Sequence, residues 1–219
     1  MTINGWFPLA LSGSIPAGIP AGAIVKGTEI VVWRDQAGEA HAWEDRCPHR
    51  GMKMSFGIVR GDHIACLYHG WQYGPDGQCR KIPAHPDLDV PRSICVKTYG
   101  AAEAGGMIWA GLGAPGDAPV LPEATGVRSL YVDVPLNTAL AALPSAFGAG
   151  GMTARGPVVT LDTRWGTLRI GLQEIGEGQC ALHVTAAGNP GAEARAGIAR
   201  AATRLRDSVE SGTDTGVAA

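Results

Sequence analysis

Two short groups of cysteine and histidine, Cys47-x-His49 and Cys66-x-x-His69, lie sixteen residues apart in the stretch CPHRGMKMSFGIVRGDHIACLYHGW. Each offers one thiol and one imidazole. Both side chains are metal ligands, so the fold has to bring two mixed pairs together on two loops. Pro48, Gly51 and Gly70 bend those loops and let backbone come close to a bound group. Few folds need that pattern.

The remaining composition narrows the setting. The 219 residues, 45% of them hydrophobic, suffice for a buried core in one large or two small domains. Lys and Arg number 18 against 20 Asp and Glu, so the basic excess that marks nucleic-acid binding is missing and no nucleic-acid partner is expected. The five cysteines, Cys47, Cys66, Cys79, Cys95 and Cys180, are odd in number and widely spread. They argue for metal ligands and buried thiols rather than a disulfide framework. The opening MTINGWFPLALSGSIPAG has no basic leader and its apolar run is broken at Pro8. A cytoplasmic protein with no membrane partner is the expectation.

Turn signals from 32 Gly and 15 Pro separate short β-branched and aromatic segments. Strands are expected at 29–35, 40–47 and 63–69, then a hairpin in WQYGPDGQCRKI around Pro75-Asp76-Gly77, then ICVKTYG and MIWAGLG. The segment APGDAPVLPEATG (114–126) reads as a linker, dividing the chain into domains at 1–122 and 123–219. Beyond it a strand at 129–135, a short helix in NTALAALPSA and a Gly-rich turn at 148–151 precede two or three strands across 157–187. A final helix opens at Asn189-Pro190, with Ile198, Ala202, Leu205 and Val209 at helical spacing. The tail GTDTGVAA reads as disordered.

The motif CPHRGM…CLYHGWQY resembles that of the Rieske [2Fe-2S] domain of the Rieske non-haem iron oxygenases. The likeness extends from NGWFPLAL and VVWRD to GPDGQCRKIP and IWAGLG, roughly residues 4–122. It implies a mainly β fold, a Rieske-type β-sandwich followed by a small α+β domain like a shortened helix-grip fold. It also implies a Rieske-type [2Fe-2S] cluster with Cys47 and Cys66 on one iron and His49 and His69 on the other. A single zinc ion is the competing occupant, although zinc spacing usually pairs Cys with Cys and His with His. Met52 and Tyr68 stand where respiratory-chain Rieske proteins carry a disulfide, and Trp71 stands where they place a serine that donates to cluster sulfur. The missing donor implies a potential toward the lower end of roughly −150 to +300 mV.

The resemblance also implies a mononuclear iron held by two His and a carboxylate in the second domain. Here the pattern departs, because His183 is the one imidazole beyond the linker. Asp133, Asp162, Glu174 and Glu177 supply carboxylates without a second His. No catalytic residue can therefore be assigned in this chain. The expected function is an oxidoreductase component that relays single electrons from a reductase or ferredoxin donor to an oxygenase acceptor on another chain, in a homo- or hetero-oligomer. Two alternatives are an oxygenase subunit whose second metal site is shared between chains, and a redox-sensing module that binds a small apolar molecule. His85 is expected on a loop over the cluster, and His183 as a satisfied strand residue. Trp71 and Tyr73 are expected to shield the cluster, Cys79, Cys95 and Cys180 to pack as small hydrophobes, and Arg195, Arg200, Arg204 and Arg206 to form a solvated helix face.

Overall fold

The computed structural model describes residues 3–212, so all but the first residue of the GTDTGVAA tail lies outside the described residues. The chain begins with β1 (Gly5–Leu11), β2 (Pro20–Val25), β3 (Thr28–Arg34) and β4 (Ala40–Glu44). It leaves for a small excursion, β5 (Ile58–Arg60), β6 (His63–Ala65), β7 (Gln72–Tyr73) and β8 (Cys79–Lys81), and returns in β9 (Thr98–Ala104) and β10 (Met107–Leu112). The long strands form a six-stranded antiparallel sheet in the order β1-β10-β9-β4-β3-β2, and the excursion forms its own four-stranded sheet, β5-β6-β7-β8.

Strand β3 explains how the layers are joined. Its run Ile30-Val31-Val32-Trp33 is apolar on both faces because side chains alternate across a strand and both faces are covered. Ile30 and Val32 enter one core with Leu9 and Ile108. Val31 and Trp33 enter a second with Trp43, Met54, Ile64 and Tyr73 beneath the excursion. Arg34 fixes the far end, since its guanidinium donates to both carboxylate oxygens of Glu103 and to three backbone carbonyls, those of Ser12, Ile15 and Gly38.

After residues 113–123, which hold no helix or strand, come β11 (Ala124–Val132), α1 (Leu136–Phe147), β12 (Gly151–Arg155), β13 (Val158–Thr163), β14 (Gly166–Gly176), β15 (Gln179–Ala187) and α2 (Ala192–Glu210). The strands make one antiparallel sheet, β11-β15-β14-β13-β12. Both helices pack on one of its faces. The space between is filled, with Leu130, Leu168 and Leu182 of the sheet meeting Leu143, Phe147 and Ile198 of the helices. The other face meets the first sheet, where Lys26 and Gly27 N–H groups donate to Glu174 and Ile175 carbonyls at 2.8 Å each.

Several details differ from expectation. The ladder of β6 stops at Ala65, because Cys66 to His69 form a loop instead of continuing the strand. Strands β1, β2, β5 and β12 were not expected. Asn189 does not cap α2: Gly191 occupies that position, and the Asn189 side chain accepts from Arg195 instead. The helix face agrees with its periodicity, with Ile198, Ala202 and Leu205 buried.

Candidate metal centre

The two ligand loops share one backbone frame. The Cys47 N–H donates to Met52 O and its carbonyl accepts from Gly51 N–H, both at 2.8 Å. The Cys66 N–H donates to Trp71 O and its carbonyl accepts from Gly70 N–H, both at 2.9 Å. Each loop is thus closed by the residues four and five positions beyond its cysteine. Gly51 and Gly70 sit at φ 76° and 69°, where a side chain would be strained. A Cβ on Gly70 would also press on Pro83 at 3.3 Å, so the segment leading to His85 lies against the second loop.

The thiols point inward and the imidazoles outward. Cys47 and Cys66 are 2% and 3% exposed, and no disulfide joins them. Burial pushes the Cys66 thiol up, the Tyr68 and His69 backbone N–H groups pull it down, and neighbouring Cys47 raises it further. The Tyr73 hydroxyl lies 3.2 Å from Cys47 Sγ. Burial, with that bond second, holds the Tyr73 phenol protonated. Above the sulfurs the His49 and His69 ring centroids are 4.6 Å apart. Trp71 lies parallel to His49 at 4.1 Å and Tyr68 packs on His69 at 3.9 Å. Burial, then His69 and Arg50, push the His49 pKa down.

This donor set fits a two-iron cluster. Two buried thiols and two outward imidazoles form two pairs, which matches a centre in which one iron takes two cysteines and the other takes two histidines. A tetrahedral zinc ion needs four ligands around one point. Among the described residues no three His, Cys, Asp or Glu side chains converge in that way.

Other candidates resolve differently. His183 is fully buried, with Nδ1 2.8 Å from Ser129 Oγ and Nε2 2.7 Å from Gln173 Oε1, so both ring nitrogens are occupied. Burial pushes its pKa down to about 4. Glu174 pairs with Lys26, Asp133 accepts from Gln179, and Asp162 accepts from Thr167. His85 is exposed in the segment Ala84–Leu88. Cys79 and Cys180 are buried, but Cys95 is exposed, because alternation turns it outward between Ile94 and Val96. Arg195, Arg200 and Arg204 are exposed, while Arg206 is half-buried beside Asp207 and Glu210. Trp71 is half-buried and Tyr73 buried. The Tyr73 bond to Cys47 was missed from sequence, where the one signal was a tyrosine two positions beyond Trp71.

Residues 5–99 match the model of the Rieske [2Fe-2S] domain. The chain is 31% identical over 240 residues to "Oxidoreductase NdmD" of Pseudomonas putida, covering 96% of this chain and 40% of that protein. It is 31% identical over 119 residues to a 3-chlorobenzoate-3,4-dioxygenase oxygenase subunit of Comamonas testosteroni, covering 53% of this chain and 28% of the relative. The chain therefore spans well under half of these relatives. In fold it is similar to a solved structure of Pseudomonas putida NdmA with theobromine, with TM-score 0.74 and 17% identity over 99% of this chain and 84% of that one.

Proposed function

Because this chain carries a Rieske [2Fe-2S] domain at residues 5–99, we propose that it relays single electrons from a reductase or ferredoxin to the catalytic iron of an oxygenase on another chain. Cys47, Cys66, His49 and His69 would hold the cluster, the thiolates and the imidazoles forming two separate pairs of ligands. When bound, the cluster supplies one-electron redox chemistry. The protein residues prepare that site. Met54, Ile64 and Tyr73 exclude water from the sulfur side, the Tyr73 hydroxyl would donate to Cys47 once that sulfur is a metal-bound thiolate, and Trp71 and Tyr68 pack on the two rings. His69 is exposed, so the imidazole side is where a partner can approach.

The observation that carries the relay reading over an oxygenase is the state of His183. With both nitrogens bonded inside the fold, it has none to offer a second metal, shared between chains or otherwise. The likeness to the oxidoreductase NdmD supports the same reading, since nearly the whole chain aligns within a protein more than twice as long. The filled space between the second sheet and its helices weighs against a small-molecule sensor built there. Domain limits of 1–122 and 123–219, a cytoplasmic location and a mixed oligomer complete the proposal. No described helix is long and apolar enough to cross a membrane.

The test is reconstitution. The reduced chain, mixed anaerobically with an oxygenase whose own Rieske cluster has been disabled, should support product formation once oxygen is admitted. Failure with several such oxygenases, together with turnover by the chain alone, would replace the relay with an oxygenase.

A further inference from the structure

Strand β12 forms one edge of the second sheet, and every residue from Gly151 to Arg155 is exposed. An uncovered edge offers unpaired backbone groups to another strand, and proteins usually blunt it with proline, charge or a bulge. Here there is no proline, and the pairing with β13 runs from Gly151–Asp162 to Arg155–Val158 without a register shift. The one charge on the edge is Arg155.

The ladder shows which groups are free. Leu172 N–H donates to Pro157 O at 2.8 Å, so Pro157 and, by alternation, Val159 and Leu161 direct their peptide groups at β14. Val158, Thr160 and Asp162 then direct theirs at β12, as the Asp162 carbonyl does in accepting from Gly150 N–H. Their partners Arg155, Thr153 and Gly151 are thereby satisfied within the sheet. The N–H and C=O groups of Met152 and Ala154 are left pointing outward.

A second copy of β12 fits this edge about a two-fold axis at Thr153. Met152 of each copy then exchanges both backbone hydrogen bonds with Ala154 of the other. On the face toward the helices the Met152 side chain meets Ala154; on the opposite face Thr153 meets its own copy, a favourable cross-strand pair. Arg155 falls opposite Gly151, which has no side chain, and Asp162 stands next in the same row. Two strand spacings, about 10 Å, then separate the Arg155 and Asp162 backbones, a gap that the two side chains can close. Arg155 has no ion pair among the described residues, and Asp162 accepts the Thr167 hydroxyl on Oδ1, leaving Oδ2 for the arginine.

We propose that two copies of this chain pair antiparallel through β12, centred on Thr153, with Arg155 of each on Asp162 of the other. The pairing joins two five-stranded sheets into one continuous sheet. It uses no residue of the ligand loops, so it stands apart from the relay reading. Sedimentation velocity of the full chain from about 5 to 500 µM, at low ionic strength where exposed ion pairs are least screened, tests it. A concentration-dependent dimer is expected. Ala154→Pro removes an outward N–H while sparing the bonds to β13, and should weaken dimerisation about tenfold or more. Arg155→Glu should weaken it too, and the exchange Arg155→Glu with Asp162→Arg should restore it, because the facing charges are again opposite. A monomer at about 500 µM, or an oligomer of any size that Ala154→Pro leaves intact, would overturn the proposal. So would a dimer weakened by Arg155→Glu that the exchange fails to restore. If Ala154→Pro does not fold, the exchange at the two exposed charges still decides the matter.

Discussion

The Tyr73 hydroxyl and the Cys47 sulfur are 3.2 Å apart in a buried setting, so the sulfur that would face one iron has a phenolic donor. A donor to sulfur favours the reduced, more negative form of the centre. Tyr73→Phe should therefore lower the midpoint potential while leaving the cluster in place. A hydrogen bond of about 0.5–1.5 kcal/mol corresponds to roughly 20–60 mV for one electron. Redox titration followed by visible absorption checks the shift, and an unchanged or higher potential would contradict the assignment.

Replacing a ligand tests the two-pair arrangement. His69→Cys should retain a cluster but move its spectrum and potential toward the four-Cys type, near −400 mV in plant-type ferredoxins by order of magnitude. EPR and redox titration of the variant give the answer. An unchanged potential would remove His69 from the ligand set.

His183 predicts a pH dependence of stability. Its folded pKa, about 4 through burial, lies below the unfolded value near 6.5. In that window the unfolded chain binds the proton and the folded chain does not. Stability is then full above about pH 6.5, falls as pH drops toward 4, and levels off below, by at most about 1.4 kcal/mol per pH unit. Urea midpoints at several pH values, compared with those of His183→Gln, isolate this contribution. Parallel curves would contradict it.

The contact between the two sheets can be probed at Gly171 on β14. A Cβ there would meet Met107 Sδ at 2.5 Å and Pro8 Cβ at 3.1 Å, whereas Gly176 has nothing within 4 Å. Gly171→Val should cost about 1–3 kcal/mol by overpacking. Gly176→Ala should stay within about 0.5 kcal/mol. Urea denaturation measures both. Equal effects would mean that the sheets do not pack closely at Gly171.

What the sequence made legible follows from where its signals are local. The ligand pairs, the Pro75-Asp76-Gly77 hairpin and the apolar stripe of α2 each sit within a few residues and have their own stereochemistry. The strands that were missed lack such a signal. β12 is exposed along its whole length, so no alternation marks it. β2 carries Pro20 and Gly22, which read as loop. Cys95 and Asn189 were misread because propensity names a usual role, and neighbouring side chains decided against it. Contacts such as Tyr73 to Cys47, or Ser129 to His183 across 54 residues, are set by tertiary folding and leave little trace in spacing.

The most direct test of the relay account is iron and acid-labile sulfide per chain in anaerobically purified protein, with EPR after dithionite. About two irons and two sulfides with a Rieske-type signal are predicted. A third iron per chain, with the signal of a mononuclear centre, would contradict the account and make this chain an oxygenase.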